Sequence, residues 1–530
     1  MKITITIILL LVSFIVNANT YYVATNGNDT NQGTNTQAWA SIQKAANTLV
    51  AGDTVFIKAG TYNERVIVKN SGAANNYIVF SNYQNDEVII DGNGITWWDW
   101  DGLFNITDRS YVKITGLNIK NSYYGGIWAE NSDHIIINNN YTYNTISCGI
   151  GIWSSNNITI SDNEVELACN DGEQECISIA NSHNCLINNN HVHDNGPGTN
   201  GGEGIDIKAG SHDVVVSHNR VHNLNNRIGI YADAWDTHTY NIDIIQNKVY
   251  YCENSGLAVA TERGGLIENI SFINNISYQN KWGGIELGGW TDDGYSGPTP
   301  IKNVKIINNT CYKNGSTFSG WGFGINVNNP YAENVVIRNN ICSQNNAQIG
   351  VENILSGLII DHNLIDGANN ATDALFGSDS IIGNPLFINA NASNFQLLNN
   401  SVAIDNASPI NAPSLDFINI NRPYGAGYDI GAYEYTPSSG ILHNTYNDSI
   451  IKVFPNPVSD KFKVLVNGNK LQNYSIKLYN SNGKLVNKGI SIKIRKGVII
   501  IDRNSLPSGI YLLNIISNNQ LIADKKLIFE

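Results

Sequence analysis

The most regular feature of the chain is a short apolar strand that ends close to an asparagine and recurs through the middle of the sequence. Two early copies are Ile135-Ile136-Ile137 before Asn140 and Ile158-Thr159-Ile160 before Asn163. The asparagines in this position are Asn140, Asn163, Asn190, Asn219, Asn247, Asn275, Asn309, Asn340 and Asn363. Their spacing of 23 to 34 residues leaves room for short strands and turns, but not for a helix in every repeat. The pattern predicts an all-β fold in which each repeat is one coil of a right-handed parallel β-helix.

The repeated asparagine has a structural explanation. Coils of a β-helix stack about 4.8 Å apart. An asparagine at the same turn of each coil can donate and accept hydrogen bonds along the stack, and asparagine tolerates the left-handed backbone of tight corners. We therefore assign none of these asparagines to catalysis.

A second motif, Gly-apolar-x-apolar-x, follows each of these strands. Strand alternation turns its apolar members inward and its x positions outward. Aligned on glycine, the first outward column is predicted to run Trp128, Trp153, Ser178, Asp206, Tyr231, Ala258, Glu286, Asn326 and Glu352. The column beside it is predicted to run Glu130, Ser155, Ala180, Lys208, Asp233, Ala260, Gly288 and Asn328.

The remaining segments divide the chain into four predicted parts. Residues 1–20 have the charged start and short apolar run of a signal peptide, and the run is shorter than a membrane span requires. Residues 21–435 form the predicted β-helix, and residues 436–450 form a polar linker. Residues 451–530 alternate apolar strands with turns, which predicts a small β-sandwich.

The two ends of the predicted solenoid need covers. The segment from Trp39 to Val50 is predicted to form a short amphipathic helix that would cover the open N-terminal coil. The segment from Gly383 to Tyr435 breaks the repeat and is expected to close the other end.

Charge and composition narrow the possible partners. Lys and Arg number 32 against 45 Asp and Glu, a net charge of -13. Without a basic stripe, nucleic acid is not an expected partner. An acidic protein also repels acidic polymers unless a cation intervenes. No sequence feature indicates oligomerisation, so a monomer is expected.

The start of the β-helix resembles a known group of proteins. The segments Tyr21 to Asp29, Ile42 to Ala46 and Gly52 to Val55 resemble the openings of many secreted β-helix proteins, among them pectate-lyase-like polysaccharide lyases and glycosidases. The closing segment Asp429 to Tyr435 is similar to the end of the same group. The resemblance implies the β-helix fold and a polysaccharide substrate, without naming the polymer.

The C-terminal residues resemble a different family. The segments Val453 to Pro457, Leu478 to Asn480, Gly483 to Val486 and Leu506 to Tyr511 look like a type IX secretion sorting domain of Bacteroidetes-like bacteria. The resemblance implies the type IX machinery as a partner and release from, or attachment to, the outer surface. The alternative is a carbohydrate-binding sandwich, which the scarcity of aromatic residues on these strands disfavours.

Acidic and aromatic side chains concentrate on a few consecutive coils. The acids are Glu203, Asp206, Asp233, Asp236, Glu262 and Glu286. Lys208 stands one coil from Asp233 in the same column and could pair with it. The residues expected to contact sugar in an open groove are Trp128, Trp153, Tyr231, Trp235, Arg263, Trp282 and Glu286.

Two catalytic mechanisms fit this set. The first is β-elimination on a uronic-acid polymer, with Ca²⁺ held by Asp206, Asp233 and Asp236. Lys208 would be the base if burial and the cation lowered its pKa, and it could equally be only an ion-pair partner. This combination of residues is similar to that of the family 9 polysaccharide lyases, although their motif is not matched residue by residue.

The second mechanism is glycoside hydrolysis by two carboxyl groups. Asp206 or Asp233 would be the nucleophile or base and Glu262 the acid, while Arg263 could bind an anionic substituent. An acidic groove without metal would prefer a neutral polymer.

A non-catalytic surface protein or adhesin stays open as a third possibility. The histidines His193, His222 and His238 lie near the same coils and are interpreted as structural. The acidic loops Asp171 to Glu175 and Asp292 to Gly294 could bind Ca²⁺ or be solvated walls.

Overall fold

A computed structural model describes residues 18–437, except 172, 198–200, 292–293, 316–321, 354 and 368–375, and much of 451–529. The first 17 residues of the predicted signal peptide, and residues 438–450 of the predicted linker, lie outside the described residues. The chain divides into two compact units, Met1–Tyr435 and Thr436–Glu530. Each is described by itself.

The first unit is a parallel β-helix, as predicted. Each coil contributes a strand to sheet 1, turns a corner into a strand of sheet 2, and then crosses a longer loop to a strand of sheet 3. Parallel strands joined by crossovers are almost always right-handed. All neighbouring strands in the three sheets are parallel, and three such long sheets are typical of a right-handed β-helix.

Sheet 1 has 13 strands. They are Thr20–Val23, Thr54–Ile57, Ile78–Asn82, Ser110–Thr115, Asp133–Asn138, Asn156–Ser161, His183–Asn188, His212–Ser217, Thr237–Ile245, Gly265–Ile273, Ile301–Ile307, Ala332–Arg338 and Ile359–Asp361.

Sheet 2 also has 13 strands. They are Gly60–Tyr62, Val88–Asp91, Asn118–Lys120, Tyr141–Tyr143, Glu164–Glu166, His191–His193, Arg220–His222, Lys248–Tyr250, Ile276–Tyr278, Thr310–Tyr312, Ile341–Ser343, Leu364–Asp366 and Ile381–Ile382.

Sheet 3 has 11 strands. They are Val66–Ile67, Gly102–Asn105, Gly125–Glu130, Ile150–Trp153, Ile177–Ala180, Ile205–Lys208, Ile230–Asp233, Leu257–Ala260, Ile285–Gly288, Phe323–Val327 and Ala347–Val351.

The asparagine ladder occupies the corner between sheets 1 and 2. In a typical rung, Asn219 Nδ2 donates to Asn247 Oδ1 at 3.0 Å and to the Ile187 carbonyl at 2.9 Å. The backbone N–H of Asn219 donates to the same Asn247 oxygen at 2.9 Å. All nine ladder side chains are buried. Because each amide satisfies its neighbour, the corner buries polar groups without leaving them unpaired.

The first coil is covered by a helix, Ile42–Thr48, within the segment predicted for it. Ser41 caps its N-terminus by accepting a hydrogen bond from the Lys44 backbone N–H. Ile42, Ala45 and Ala46 are buried against the coil.

The segment from Gly383 to Tyr435 does more than close the last coil. It includes a hairpin of strands Phe387–Asn389 and Asn394–Leu397 around the 3₁₀ turn Ala390–Ala392. It then follows the side of the solenoid, where Asn274 Nδ2 donates to the Leu415 carbonyl and Asn308 Nδ2 to the Asp429 carbonyl. The corner residues that precede ladder asparagines therefore anchor this segment over several coils.

The second unit contains two antiparallel sheets, as the sandwich prediction requires. The four-stranded sheet is ordered Ile451–Phe454, Lys461–Val466, Val498–Asp502 and Ser491–Arg495. The three-stranded sheet is ordered Tyr474–Asn480, Gly509–Ser517 and Gln520–Phe529. Phe462, Leu513 and Phe529 belong to its apolar core.

Within the described part of the chain, no helix is long and apolar enough to cross a membrane. The seven cysteines are all buried free thiols.

Candidate active site

The register of sheet 3 fixes which outward side chains share a column. One column runs through Trp128, Gly151, Ser178, Asp206, Tyr231, Ala258, Glu286, Asn326 and Gly350. The other includes Glu130, Trp153, Ala180 and Lys208, and then Asp233, Ala260 and Gly288. The prediction for the acid-bearing coils is confirmed. Trp153 and Glu352 were assigned to the wrong column, because Gly149 and Gln348, rather than Gly151 and Gly350, occupy the position equivalent to the first glycine of the motif.

The outward face of sheet 3 is not an open groove at these coils. Asp206 is only 2% exposed, and Ser178, Asp233 and Glu286 are buried as well. Side chains of the loops that connect sheet 2 to sheet 3 reach over the strands. We call the group Glu175, Glu203, Asp206, Lys208, Asp233 and Glu262 the acid recess.

Lys208 is held by a loop glutamate and not by Asp233. Its Nζ donates to Glu175 Oε1 at 2.7 Å and Oε2 at 2.6 Å, and to Gln174 Oε1 at 3.2 Å. Ser178 Oγ donates to Glu175 Oε2 at 2.5 Å and fixes the carboxylate. The predicted Lys208–Asp233 ion pair is therefore replaced by a Lys208–Glu175 pair.

The charges around Lys208 stabilise its ammonium form. Burial acts to lower the pKa of Lys208, but the carboxylates of Glu175, Asp206 and Asp233 outweigh burial and raise the pKa. A lowered pKa, which the base role requires, is not what this arrangement produces. Lys208 can act as a base only when some of this negative charge is neutralised.

Asp206 and Asp233 lie on adjacent coils and are incompletely satisfied. The Oδ1 atom of each is buried and has no hydrogen-bond partner. Burial, then the charges of Asp233 and Glu175, raise the pKa of Asp206 well above its usual range. Burial, then the charge of Glu262, raise the pKa of Asp233. Each carboxyl group thus favours a proton or a bound cation.

A further acid, the half-buried Glu203, lies at the end of the loop before Asp206. Burial and the charge of Glu175 raise the pKa of Glu203 to about 7, although Arg227 opposes them. The Arg227 Nε lies 4.0 Å from Glu203 Oε1. The recess therefore contains more carboxyl groups than its two cationic neighbours can neutralise.

Glu262 is linked to the recess through aromatic side chains. Tyr231 Oη donates to Glu262 Oε1 at 2.6 Å, and Trp290 Nε1 donates to Tyr231 Oη at 3.3 Å. Tyr231 is buried, so its ring is not an exposed sugar platform. Trp235 is 40% exposed, and the Arg263 guanidinium lies 5.5 Å from the centre of its ring. This pair is the more accessible aromatic surface beside the recess.

The two tryptophans upstream of the recess stack on each other. The rings of Trp128 and Trp153 are 4.2 Å apart and nearly parallel. Gly151 permits this contact, since a Cβ there would lie within 3 Å of both rings. Trp128 is buried and Trp153 is half-buried, so Trp153 is the more accessible ring for a sugar.

Glu286 lies in the same column as Asp206, one coil beyond Ala258. It is fully buried, and its Oε2 accepts a hydrogen bond from Ser255 Oγ at 2.5 Å. Burial raises the pKa of Glu286 to about 7. Trp282 is half-buried in the loop that leads to this strand.

The three predicted Ca²⁺ ligands are not brought together. Asp236 is exposed at a corner with φ of 51°, outside the pair formed by Asp206 and Asp233. Metal sites can be formed by His, Cys, Asp and Glu side chains. Among the described residues, only one group of three or more of these has its ligand atoms within 4.8 Å of one another, and that group lies on sheet 2.

The sequence analysis named Glu175 only as the end of an acidic loop that could bind Ca²⁺ or be a solvated wall, and it did not name Arg227, the partner of Glu203. Both lie in loops, where strand alternation does not predict direction. The acidic run from Asp171 to Glu175 was the available signal.

These observations define a class of protein: a parallel β-helix with a recess of buried acids on one sheet. Residues 21–171 match the family model described as Pel9A-like, right handed beta helix region. The acid recess lies beyond this match. Residues 452–530 match the secretion system C-terminal sorting domain, which directs the protein out of the cell and to its outer surface.

Individual relatives extend the comparison. YwoF, an uncharacterized protein of Bacillus subtilis (strain 168), is 28% identical over 339 residues, which are 55% of this chain and 68% of that protein. The pectate lyase PEL9 of Emericella nidulans is 31% identical over 157 residues, 26% of this chain and 37% of that enzyme. The crystal structure of pectate lyase Pel9A has 18% identity and a TM-score of 0.49, over 80% of this chain and 98% of that one.

Proposed function

We propose that this protein is a secreted polysaccharide-degrading enzyme and that its chemistry takes place in the acid recess. The observation that carries the proposal is the pair Asp206 and Asp233, whose buried Oδ1 atoms have no partner. Buried polar atoms are almost always hydrogen-bonded, so two unpaired carboxylate oxygens on adjacent coils suggest a site completed by a ligand.

The reaction that we favour is β-elimination on a polymer that contains uronic acid. The unpaired oxygens of Asp206 and Asp233 are hard donors of the kind that Ca²⁺ prefers. Bound there, Ca²⁺ would neutralise the carboxylate of the uronate and acidify the neighbouring C5 proton. The ligand set is smaller than the one predicted, because Asp236 lies outside it.

Lys208 is positioned to be the base of this reaction. Neutralising Asp206 and Asp233 would remove two of the three carboxylate charges that raise the pKa of Lys208. The neutral amine would then accept the C5 proton as the C4–O bond breaks, a C4=C5 double bond forms, and the departing oxygen takes a proton. Glu175 would hold the lysine in place between turnovers.

We expect the exposed side chains beside the recess to contact the substrate. Trp235 and Arg263 offer an accessible ring and a cation beside the recess. An arginine in this position suits the carboxylate of a neighbouring sugar.

A glycoside hydrolase is the second candidate, and one observation favours it. Asp206, Asp233 and Glu262 are neighbouring carboxyl groups, and the pKa of each of the two aspartates is raised. Neighbouring carboxyl groups of this kind can serve as acid and base without metal.

The experiment is a screen of the purified protein on plant and algal polysaccharides, with Ca²⁺ or with chelator. Ultraviolet absorbance of an unsaturated uronate is recorded beside the release of reducing ends. Absorbance that requires Ca²⁺ supports the lyase, and reducing ends without absorbance, unaffected by chelator, support the hydrolase. No product in either measurement would contradict the enzyme proposal and favour a non-catalytic surface protein.

Variants separate the two mechanisms. Lys208→Ala should abolish β-elimination and leave hydrolysis nearly unchanged, whereas Glu262→Gln should do the reverse. Lys302→Ala is the matched control, since Lys302 is paired with Glu333 on sheet 1 at 3.1 Å and lies away from the recess.

A further inference from the structure

A cluster of histidines lies on the outward face of sheet 2, away from the acid recess on sheet 3. It is built from the strands Glu164–Glu166, His191–His193 and Arg220–His222 of three consecutive coils. Glu164 is in register with His191, and His193 with His222. Because alternate residues of a strand share a face, His191 and His193 point to the same side.

Three of these side chains converge on one point. Glu164 Oε1 lies 3.3 Å from His193 Nε2 and 3.6 Å from His191 Nδ1. One ligand atom from each of the three lies within 4.8 Å of the others. Ligands bound to zinc at about 2.0–2.1 Å in a tetrahedral arrangement stand a little over 3 Å apart, which these distances approach.

The hydrogen bonds around the histidines turn one ring nitrogen of each toward Glu164. His193 Nδ1 lies 2.6 Å from Asp194 Oδ2 and donates to that carboxylate, while His193 Nε2 lies 3.3 Å from Glu164 Oε1. His191 Nε2 lies 2.8 Å from His222 Nε2. When His191 donates in that bond, its Nδ1 faces Glu164. Without metal, a proton on a histidine nitrogen can be shared with Glu164; a metal ion would take the place of that proton and be bound by the two nitrogens and the carboxylate oxygen.

We propose that Glu164, His191 and His193 bind one divalent transition-metal ion of the zinc type. Two imidazole nitrogens and one carboxylate oxygen form a ligand set for zinc and its neighbours, whereas Ca²⁺ prefers oxygen ligands throughout. The side chains of Glu164 and His191 are 49% and 31% exposed, which leaves a coordination position open to water. Asp194 and His222 position the two imidazoles from outside, as carboxylates and other acceptors do for metal-bound histidines.

The metal would join consecutive coils. Glu164 belongs to one coil and both histidines to the next, so one ion would be bound by both coils. His193 also directly precedes the loop 194–204, which leads to Glu203 in the acid recess. Binding should therefore raise the temperature of unfolding, because a ligand that binds only the folded chain stabilises it.

The test is a calorimetric titration of Zn²⁺ into the full chain after chelator treatment and dialysis. One equivalent should bind, and Co²⁺ in its place should give the visible absorption bands of a low-coordinate site. His193→Ala and Glu164→Gln should each weaken binding at least about tenfold, and Asp194→Asn about tenfold. His212→Ala is the matched control, because His212 also lies on a strand and bonds a neighbouring aspartate, at 2.8 Å, but belongs to sheet 1. It should bind like the natural chain.

The folding of each variant is checked by its unfolding midpoint in chelator, and Glu164→Gln preserves the shape of the side chain. Absence of Zn²⁺ binding would overturn the proposal. So would binding that His193→Ala and Glu164→Gln leave unchanged, or that Ca²⁺ displaces at equal concentration. The result does not depend on the proposed enzyme activity, since Asp206→Asn should leave Zn²⁺ binding intact.

Discussion

Two groups of buried polar side chains lie along the same solenoid, and they differ in how completely their hydrogen bonds are satisfied. In the asparagine ladder, each buried amide donates to the next and to a backbone carbonyl. In the acid recess, Asp206 and Asp233 are equally buried, yet each keeps an unpaired oxygen. Both groups arise from the same repeat. Burial alone therefore does not distinguish the two groups; they differ in whether their buried polar atoms have hydrogen-bond partners.

The largest effect on activity is expected from a substitution in the acid recess, where buried carboxylate oxygens have no hydrogen-bond partner. Asp206→Asn should lower activity by about 10²- to 10⁴-fold, which is what a group of this kind contributes through proton transfer or electrostatics. Stability at neutral pH should stay equal or rise, since the pKa of Asp206 is already raised by burial and neighbouring acids. Initial rates and chemical unfolding measure the two effects, with exposed Asp243→Asn as control. Loss of stability in parallel with activity would make Asp206 a structural residue and blur the contrast.

A substitution in the asparagine ladder tests the group whose hydrogen bonds are satisfied. Asn219→Ala should lower the free energy of unfolding by on the order of 4 kcal/mol, because it removes several side-chain hydrogen bonds and leaves buried partners unsatisfied. Activity per folded molecule should change little. Urea unfolding and specific activity test this, and a destabilisation under about 1 kcal/mol would show that the ladder is dispensable.

Glu286 lies in the same column as Asp206, and its buried carboxyl group is hydrogen-bonded. Its raised pKa predicts that the stability of the protein depends on pH. Burial raises the pKa of Glu286 from 4.5 to about 7, so between these values the folded chain holds a proton that the unfolded chain has lost. The contribution of Glu286 to the free energy of unfolding is therefore fully present below about pH 4.5 and is lost as pH rises through about 7, a change of roughly 3 kcal/mol.

Glu286→Gln should remove this component from the pH profile of stability. Unfolding measured at several pH values should give a flatter curve for the variant. An unchanged slope between pH 4.5 and 7 would mean that Glu286 titrates normally.

The smallest effect is expected where a ladder is exposed to water. Asn241 Nδ2 donates to Asp213 Oδ1 at 2.9 Å, and Asn269 Nδ2 to Asn241 Oδ1 at 3.1 Å, on the solvent side of sheet 1. Asn241→Gly retains the left-handed backbone, with φ of 54°, and should cost less than about 1 kcal/mol. A loss as large as that of Asn219→Ala would show that repetition, and not burial, gives a ladder its strength.

The sequence was informative where neighbours are copies of the same repeat. Asn219 contacts Asn190 and Asn247, so the repeat itself identifies its partners. The faces of Asp206, Lys208 and Asp233 followed from strand alternation. Trp153 was misassigned because both Gly149 and Gly151 satisfy the motif, and only the register Ile127–Ile150 decides between them. Glu175 was not recognised as the partner of Lys208, because a loop takes its direction from tertiary contacts and not from periodicity. The convergence of Glu164 with His191 and His193 likewise required the spacing between coils.

The loops between sheets 2 and 3 differ in length from coil to coil, from residues 144–149 to residues 194–204, while the ladder at the opposite corner keeps its hydrogen bonds. Loop length thus varies while the register of the coils stays constant. In the proposed enzyme, the side chains that contact the substrate could therefore differ without any change in the scaffold that supports them.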